Sequence, residues 1–161
     1  MRKIYLVTFI LFISSFIYAQ DKIEIGKTIG NEYLISADTA ILRKAMQRTL
    51  GDGTQFFEFR IESVNAFHYL IGVGMLKGHY KMMAAQLQYD MKTRLFFAIP
   101  LLPHVTCSSA ACDHCKPFKE NGKIIGCKCE EKSTVSNQCN FNLVEQSLFY
   151  DNVKRYLEMK H

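Results

Sequence analysis

All six cysteines of this 161-residue chain lie in one stretch, at Cys107, Cys112, Cys115, Cys127, Cys129 and Cys139. Two chemistries suit thiols this close together. Oxidised, they pair into disulfides, and spacing alone does not choose the pairing. Reduced, their thiolates bind zinc or an iron–sulfur cluster. The redox state of the compartment decides between the two, so the address of the chain has to be read first.

The N-terminus has the three parts of an export signal. Arg2 and Lys3 are followed by an apolar run from Ile4 to Ile13, broken only by Thr8. Ser14-Ser15 and Tyr18-Ala19 then lead to Gln20. Residues 1–19 are therefore expected to be a cleaved signal peptide, although Ile17 is larger than the residue usual three places before the cut. The apolar run is shorter than the ~20 residues a membrane span needs. No stable membrane anchor is expected after cleavage, and no cysteine follows the cut to take a lipid. The expected location is secreted or periplasmic. There, Cys107, Cys112, Cys115, Cys127, Cys129 and Cys139 are expected to form three disulfides with no cofactor. Cys127 and Cys129 should take different partners, because one intervening residue is too short for a relaxed bond between them.

The reduced alternatives use the same residues as metal ligands. Cys112, Cys115, Cys127 and Cys129 could form a zinc knuckle, with His104 or His114 in reserve. The run Leu102-Pro103-His104-Val105-Thr106-Cys107-Ser108-Ser109-Ala110-Ala111-Cys112-Asp113-His114-Cys115 resembles the cluster loop of plant-type ferredoxins. That resemblance implies a [2Fe–2S] cluster on Cys107, Cys112 and Cys115, with Cys139, Cys127 or Cys129 as fourth ligand. It covers about a dozen residues. Cys112-Asp113-His114-Cys115 also resembles the active dithiol of oxidising thioredoxin-fold enzymes, without the strand–helix setting that lowers a thiol pKa.

Losing Arg2 and Lys3 lowers the net charge from +5 to +3. So mild a balance does not argue for nucleic acid. The mature chain, roughly 140 residues, is long enough to bury about two thirds of its unfolded surface without staples.

The elements that would hold the cysteines precede them. Residues 22–35 are β-like. Residues 38–50 predict a helix, with Ser36 or Asp38 as cap and Gly51 as stop; Ile41, Leu42, Ala45, Met46 and Leu50 share its apolar face. Its basic face (Arg43, Lys44, Arg48) is expected to be solvated. Four strands follow at 55–64, 67–76, 79–91 and 94–99. In the first, Phe57, Phe59 and Ile61 face inward; the last is ended by Pro100 and Pro103. Short connections favour an antiparallel meander. The expected fold is thus α+β, with one N-terminal helix packed on a four-stranded antiparallel meander in cystatin-like order. A Cys-rich segment with a small hairpin about Asn121-Gly122, spanning Lys116 to Lys128, and a closing helix over 142–159 come after it. In domain terms this is 1–19 signal, 20–103 α+β domain, and 104–161 Cys-rich segment and closing helix.

Few other residues invite chemistry. His68 and His79 read as structural or surface histidines. Met75, Met82, Met83 and Met91 could form a soft copper site, but read better as core filler. Gly72-Val73-Gly74 lacks the third glycine and the helix of a phosphate loop. Nothing pairs a nucleophile with a base. The expected role is therefore a small, exported, non-catalytic binding protein with an unknown extracytoplasmic partner. A metal-binding or thiol-redox protein is the alternative.

Overall fold

The computed structural model describes residues 21–64, 66–109, 115–121, 123–129 and 139–160. Residues 1–20, which include the expected signal over 1–19, lie outside that set, as do Cys112, Asp113 and His114. No described helix is long and apolar enough to cross a membrane.

The fold is mostly β, which corrects the expected helix on a four-stranded meander. Ten strands are described: β1 (Ile23–Ile29), β2 (Glu32–Ile35), β3 (Gln55–Val64), β4 (Phe67–Leu76), β5 (His79–Asp90), β6 (Leu95–Ala98), β7 (His104–Ser108), β8 (Cys115–Glu120), β9 (Lys123–Cys129) and β10 (Asn140–Val144). Two helices complete the set, α1 (Thr39–Leu50) and α2 (Phe149–Glu158). Eight strands, all except β8 and β9, form one antiparallel sheet. It curls until β2, at one edge, lies against β3 at the other, giving a nearly closed barrel.

Three local features account for the difference. First, β1 and β2 form a hairpin turned at Gly30, whose φ of 60° suits a residue without Cβ. β1 also pairs with β6, so the β-like residues before α1 become part of the sheet. Second, β6 ends before Pro100 as expected, but the chain returns to β5 as a further strand after Pro103. Proline removes a donor and breaks the ladder locally. Pairing with β5 then resumes: the Gln86 amide donates to the Pro103 carbonyl at 3.0 Å, and β7 runs beside Lys81–Ala85. Third, residues expected to begin the closing helix are strand β10, which pairs with β7. The sheet therefore runs past residue 103 into the Cys-rich segment.

β3 to β6 fall close to the predicted stretches, and one strand changes face within its length. Glu58, not Phe57, follows Phe56 in register against β4, so Phe57 is bulged out of the ladder. Phe56 is buried and Phe57 is 58% exposed, the reverse of the expected alternation at that end. The opposite strand explains why Phe56 turns in. A Cβ on Gly72 would meet Met46 Sδ and the Phe56 ring, and one on Gly74 would meet the Gln55 carbonyl. The two glycines leave room for α1 and the β3 backbone to come close.

The sheet carries a core on each face. Ile25, Ile61, Leu70, Met83, Leu87 and Phe96 point inward and meet Leu42 and Met46 of α1 and Phe149 and Val153 of α2. α1 begins on Asp38, whose carboxylate accepts the Ala40 amide at 2.8 Å, and ends at Gly51 with φ 65°. Arg43 is not simply solvated, because its Nε donates to the Phe56 carbonyl at 2.8 Å. On the outer face, Tyr69, Ile71, Val73, Met82, Ala84, Val105 and Cys107 are covered by Ile124 of β9. Burial on both faces is why β4 and β5 read as almost continuous apolar runs.

Candidate functional site: a cleft under the disulfide-pinned hairpin

β8 and β9 form a separate two-stranded hairpin turned at Asn121, whose φ is 48°. Its backbone places Cys115 opposite Cys129. Three contacts hold it on the outer face of the sheet. Cys127 is disulfide-bonded to Cys107 of β7, closing a separation of 20 residues. Lys119 Nζ lies 3.0 Å from Glu62 of β3, whose carboxylate also pairs with Arg60. The Tyr69 hydroxyl shares a hydrogen bond with the Ile124 backbone. The bonds from Arg60 and Lys119 outweigh the cost of partial burial and keep the Glu62 carboxyl below its ordinary range.

Between hairpin and sheet lies a cleft of about 370 Å³. Tyr69, Val105 and Ile124 give it apolar walls; Gln86, Lys123 and Glu145 add polar groups. Lys123 Nζ stands 5.8 Å from the Phe67 ring centroid, where a cation is attracted to the ring face. The cleft thus suits an apolar body with polar ends.

His104 also lines the cleft, and its Nδ1 is 2.8 Å from Ser147 Oγ. Both residues are buried. The pair superficially suggests a nucleophile and its base, but its bonds are structural. Ser147 Oγ accepts the Phe149 amide at 3.0 Å at the start of α2, and the Ser147 amide donates to the Leu102 carbonyl at 3.3 Å. The pair joins the Pro100–Pro103 break to α2. A buried hydroxyl tied at both ends is poorly placed to attack a substrate.

Burial pushes the pKa of His104 below its ordinary value, so neutral imidazole is the folded form. His68 is shifted the same way, also by burial. The sign follows directly. The unfolded chain, with histidines near ~6.5, takes up protons before the folded one. The stability from this source is complete above about pH 6.5 and is lost as pH falls towards the folded values. Urea midpoints should fall between about pH 7 and pH 5, and His104→Gln should flatten part of that slope. A midpoint constant across that range would contradict a buried neutral His104.

The other candidates separate in space. Met82 is in the outer core and Met83 in the inner core. Met75 and Met91 are exposed, so the four methionines do not converge. His79 is exposed and His68 lies in an aromatic cluster. Cys107 is fully buried, and in the disulfide neither its sulfur nor that of Cys127 offers a thiolate. Cys139 is also disulfide-bonded. Among the described residues, no group of three or more His, Cys, Asp or Glu is placed to hold a metal. The expected ligands Cys112 and His114 lie outside the described residues. The disulfide is consistent with an oxidising, extracytoplasmic location.

Sequence reasoning missed the cleft residues Gln86, Lys123 and Glu145 and the His104–Ser147 pair. One signal pointed towards the cleft: β4 and β5 are apolar on both faces, so something had to cover the outer one. The chain matches no family model, and no curated protein or solved structure resembles it significantly.

Proposed function

We propose that the chain is an exported, non-catalytic binding protein, secreted or periplasmic, whose ligand or partner engages the cleft beneath the Cys107–Cys127 hairpin. The observation that carries this reading is the cleft itself, about 370 Å³ and walled by separate strands. Its two sides are joined by a covalent bond, so the cavity is held open with little entropy left to lose on binding. The basic start and apolar run of residues 2–19 support export. The Cys107–Cys127 bridge and the disulfide-bonded state of Cys139 support a stapled binding scaffold over a metal or thiol-redox protein.

Two measurements on protein from its natural compartment test the reading. Intact mass should show a chain starting at or near Gln20. Thiol titration in denaturant, beside elemental analysis, should show no free thiol and no stoichiometric metal. Zinc with four or more titratable thiols would transfer the function to a knuckle on the cysteines. Two irons with acid-labile sulfide would favour the ferredoxin-like loop, and two free thiols at Cys112 and Cys115 would favour disulfide exchange. For the cleft, small aromatic carboxylates such as benzoate are the probe, because Lys123 stands beside an aromatic ring. Amide shifts should concentrate at Tyr69, Gln86, Val105 and Lys123, and Lys123→Glu should weaken them. Shifts scattered over the surface would remove the cleft from consideration.

A further inference from the structure

A second pocket opens on the inner side of the barrel, at the end of β4 away from α1. It measures about 320 Å³ and is lined by Thr28, Gly30, Asn31, Tyr33, His68 and Tyr89. Four rings cluster around it. The His68 ring centroid is 4.8 Å from Tyr89, 5.2 Å from Phe96 and 6.2 Å from Tyr33. Tyr33 and Phe96 are 5.3 Å apart, edge to face. Thr28 Oγ1 donates a long hydrogen bond of 3.5 Å to the Tyr89 hydroxyl, and both hydroxyls keep capacity for a further partner. His68 Nδ1 is buried and has no hydrogen-bond partner. Buried polar groups are normally satisfied, so this one calls for an explanation, and a ligand in the pocket would reach it after a turn of the imidazole ring.

The lining limits what can enter. Among the described residues it contains no carboxylate, lysine or arginine, so none of them pairs with a formal charge. The Tyr and Thr hydroxyls and the Asn amide can each both donate and accept. The rings do not form a parallel slot. Tyr33 stands at 85° to both His68 and Phe96, and His68 at 51° to Tyr89. A flat heteroaromatic ligand needs parallel faces to stack between, whereas a puckered ring carrying hydroxyls needs one aromatic face against its C–H side and paired donors and acceptors around its rim. We infer that this pocket binds a neutral, polyhydroxylated ring of monosaccharide size, with Tyr33 as the stacking face and His68, Tyr89, Thr28 and Asn31 as its polar contacts. The inference does not rest on the outer cleft, since the pocket opens on the opposite face of the sheet.

The test uses the mature full-length chain with its disulfides intact and free glucose, galactose, mannose and N-acetylglucosamine as probes. Titration followed by amide and aromatic ring resonances should give saturable shifts at Thr28, Asn31, Tyr33 and His68 for at least one sugar. Single free sugars should bind at around millimolar dissociation constants. Tyr33→Ala should weaken binding about tenfold. Tyr33 is partly exposed on an edge hairpin, so this variant should still fold. His68→Phe keeps the ring and removes the orphaned nitrogen. It should weaken binding by a similar factor while leaving the thermal midpoint unchanged or higher, a combination that a purely structural histidine would not give. The inference is overturned if no sugar shifts these resonances. It is also overturned if choline or adenine saturates the pocket and the sugars do not, or if His68→Phe lowers the midpoint without changing binding.

Discussion

Removing the Cys107–Cys127 bridge should free the β8–β9 hairpin and leave the barrel folded. Replacing both cysteines by alanine opens a loop with a sequence separation of 20, worth about 3 kcal/mol of chain entropy. The hairpin has little else to hold it. The Lys119–Glu62 pair is solvent-accessible and worth about 1 kcal/mol at most, and among its described side chains Ile124 is the buried one in the outer core, with Cys127 packed beside it. The inner core is different, because it joins β1, β3 to β6 and both helices without a cysteine among its members. Hydrogen exchange on this double-alanine variant should therefore show protection lost in β8 and β9 and kept in β3 to β6. Dye binding to the uncovered Tyr69, Ile71 and Val105 should rise in parallel, and benzoate shifts in the cleft should vanish. Loss of protection throughout the barrel in this variant would show that the bridge holds the whole fold.

Phe96→Ala should be among the most damaging single substitutions in the chain, at about 3–5 kcal/mol. The ring is fully buried and touches Tyr33, His68 and Tyr89, so it supports both the inner core and the wall of the inner pocket. Neighbouring Phe97 points to the other face, half-buried, with Lys22 Nζ 5.5 Å from its ring centroid. Phe97→Ala should cost clearly less, about 1–2 kcal/mol. Chemical denaturation of the two variants compares the faces of one strand directly. Equal losses would contradict the assigned orientation of β6.

Part of this architecture follows from local pattern alone. Asp38, the apolar spacing from Ile41 to Leu50 and Gly51 define α1, because capping and helical periodicity act within a dozen residues. The alternation in β4 and β5 sorts Leu70 and Met83 from Ile71 and Met82 correctly, and those pairs end in different cores. Asn121 marks the turn of the hairpin, since a positive φ is a property of the residue itself. The N-terminal pattern and the clustering of the cysteines likewise need no structure to be seen.

What only the tertiary structure decided is long-range pairing. Nothing within residues 22–35 says that β1 will lie beside β6, about seventy residues later. Nothing at Pro100 and Pro103 says that pairing with β5 will resume after the break; that depends on Val105 and Cys107 meeting Met82 and Ala84 on an outer face that has to be covered. The bulge at Phe57 is set by Gly72 and Gly74 on the neighbouring strand, so the β3 alternation could not reveal it. Both pockets have the same origin. Gln86, Lys123 and Glu145, or Tyr33, His68 and Tyr89, become neighbours only when distant strands close the sheet. Local sequence sets backbone preference and the face of each side chain. Which faces then meet depends on the barrel as a whole, where burial of apolar surface favours one set of pairings over the rest.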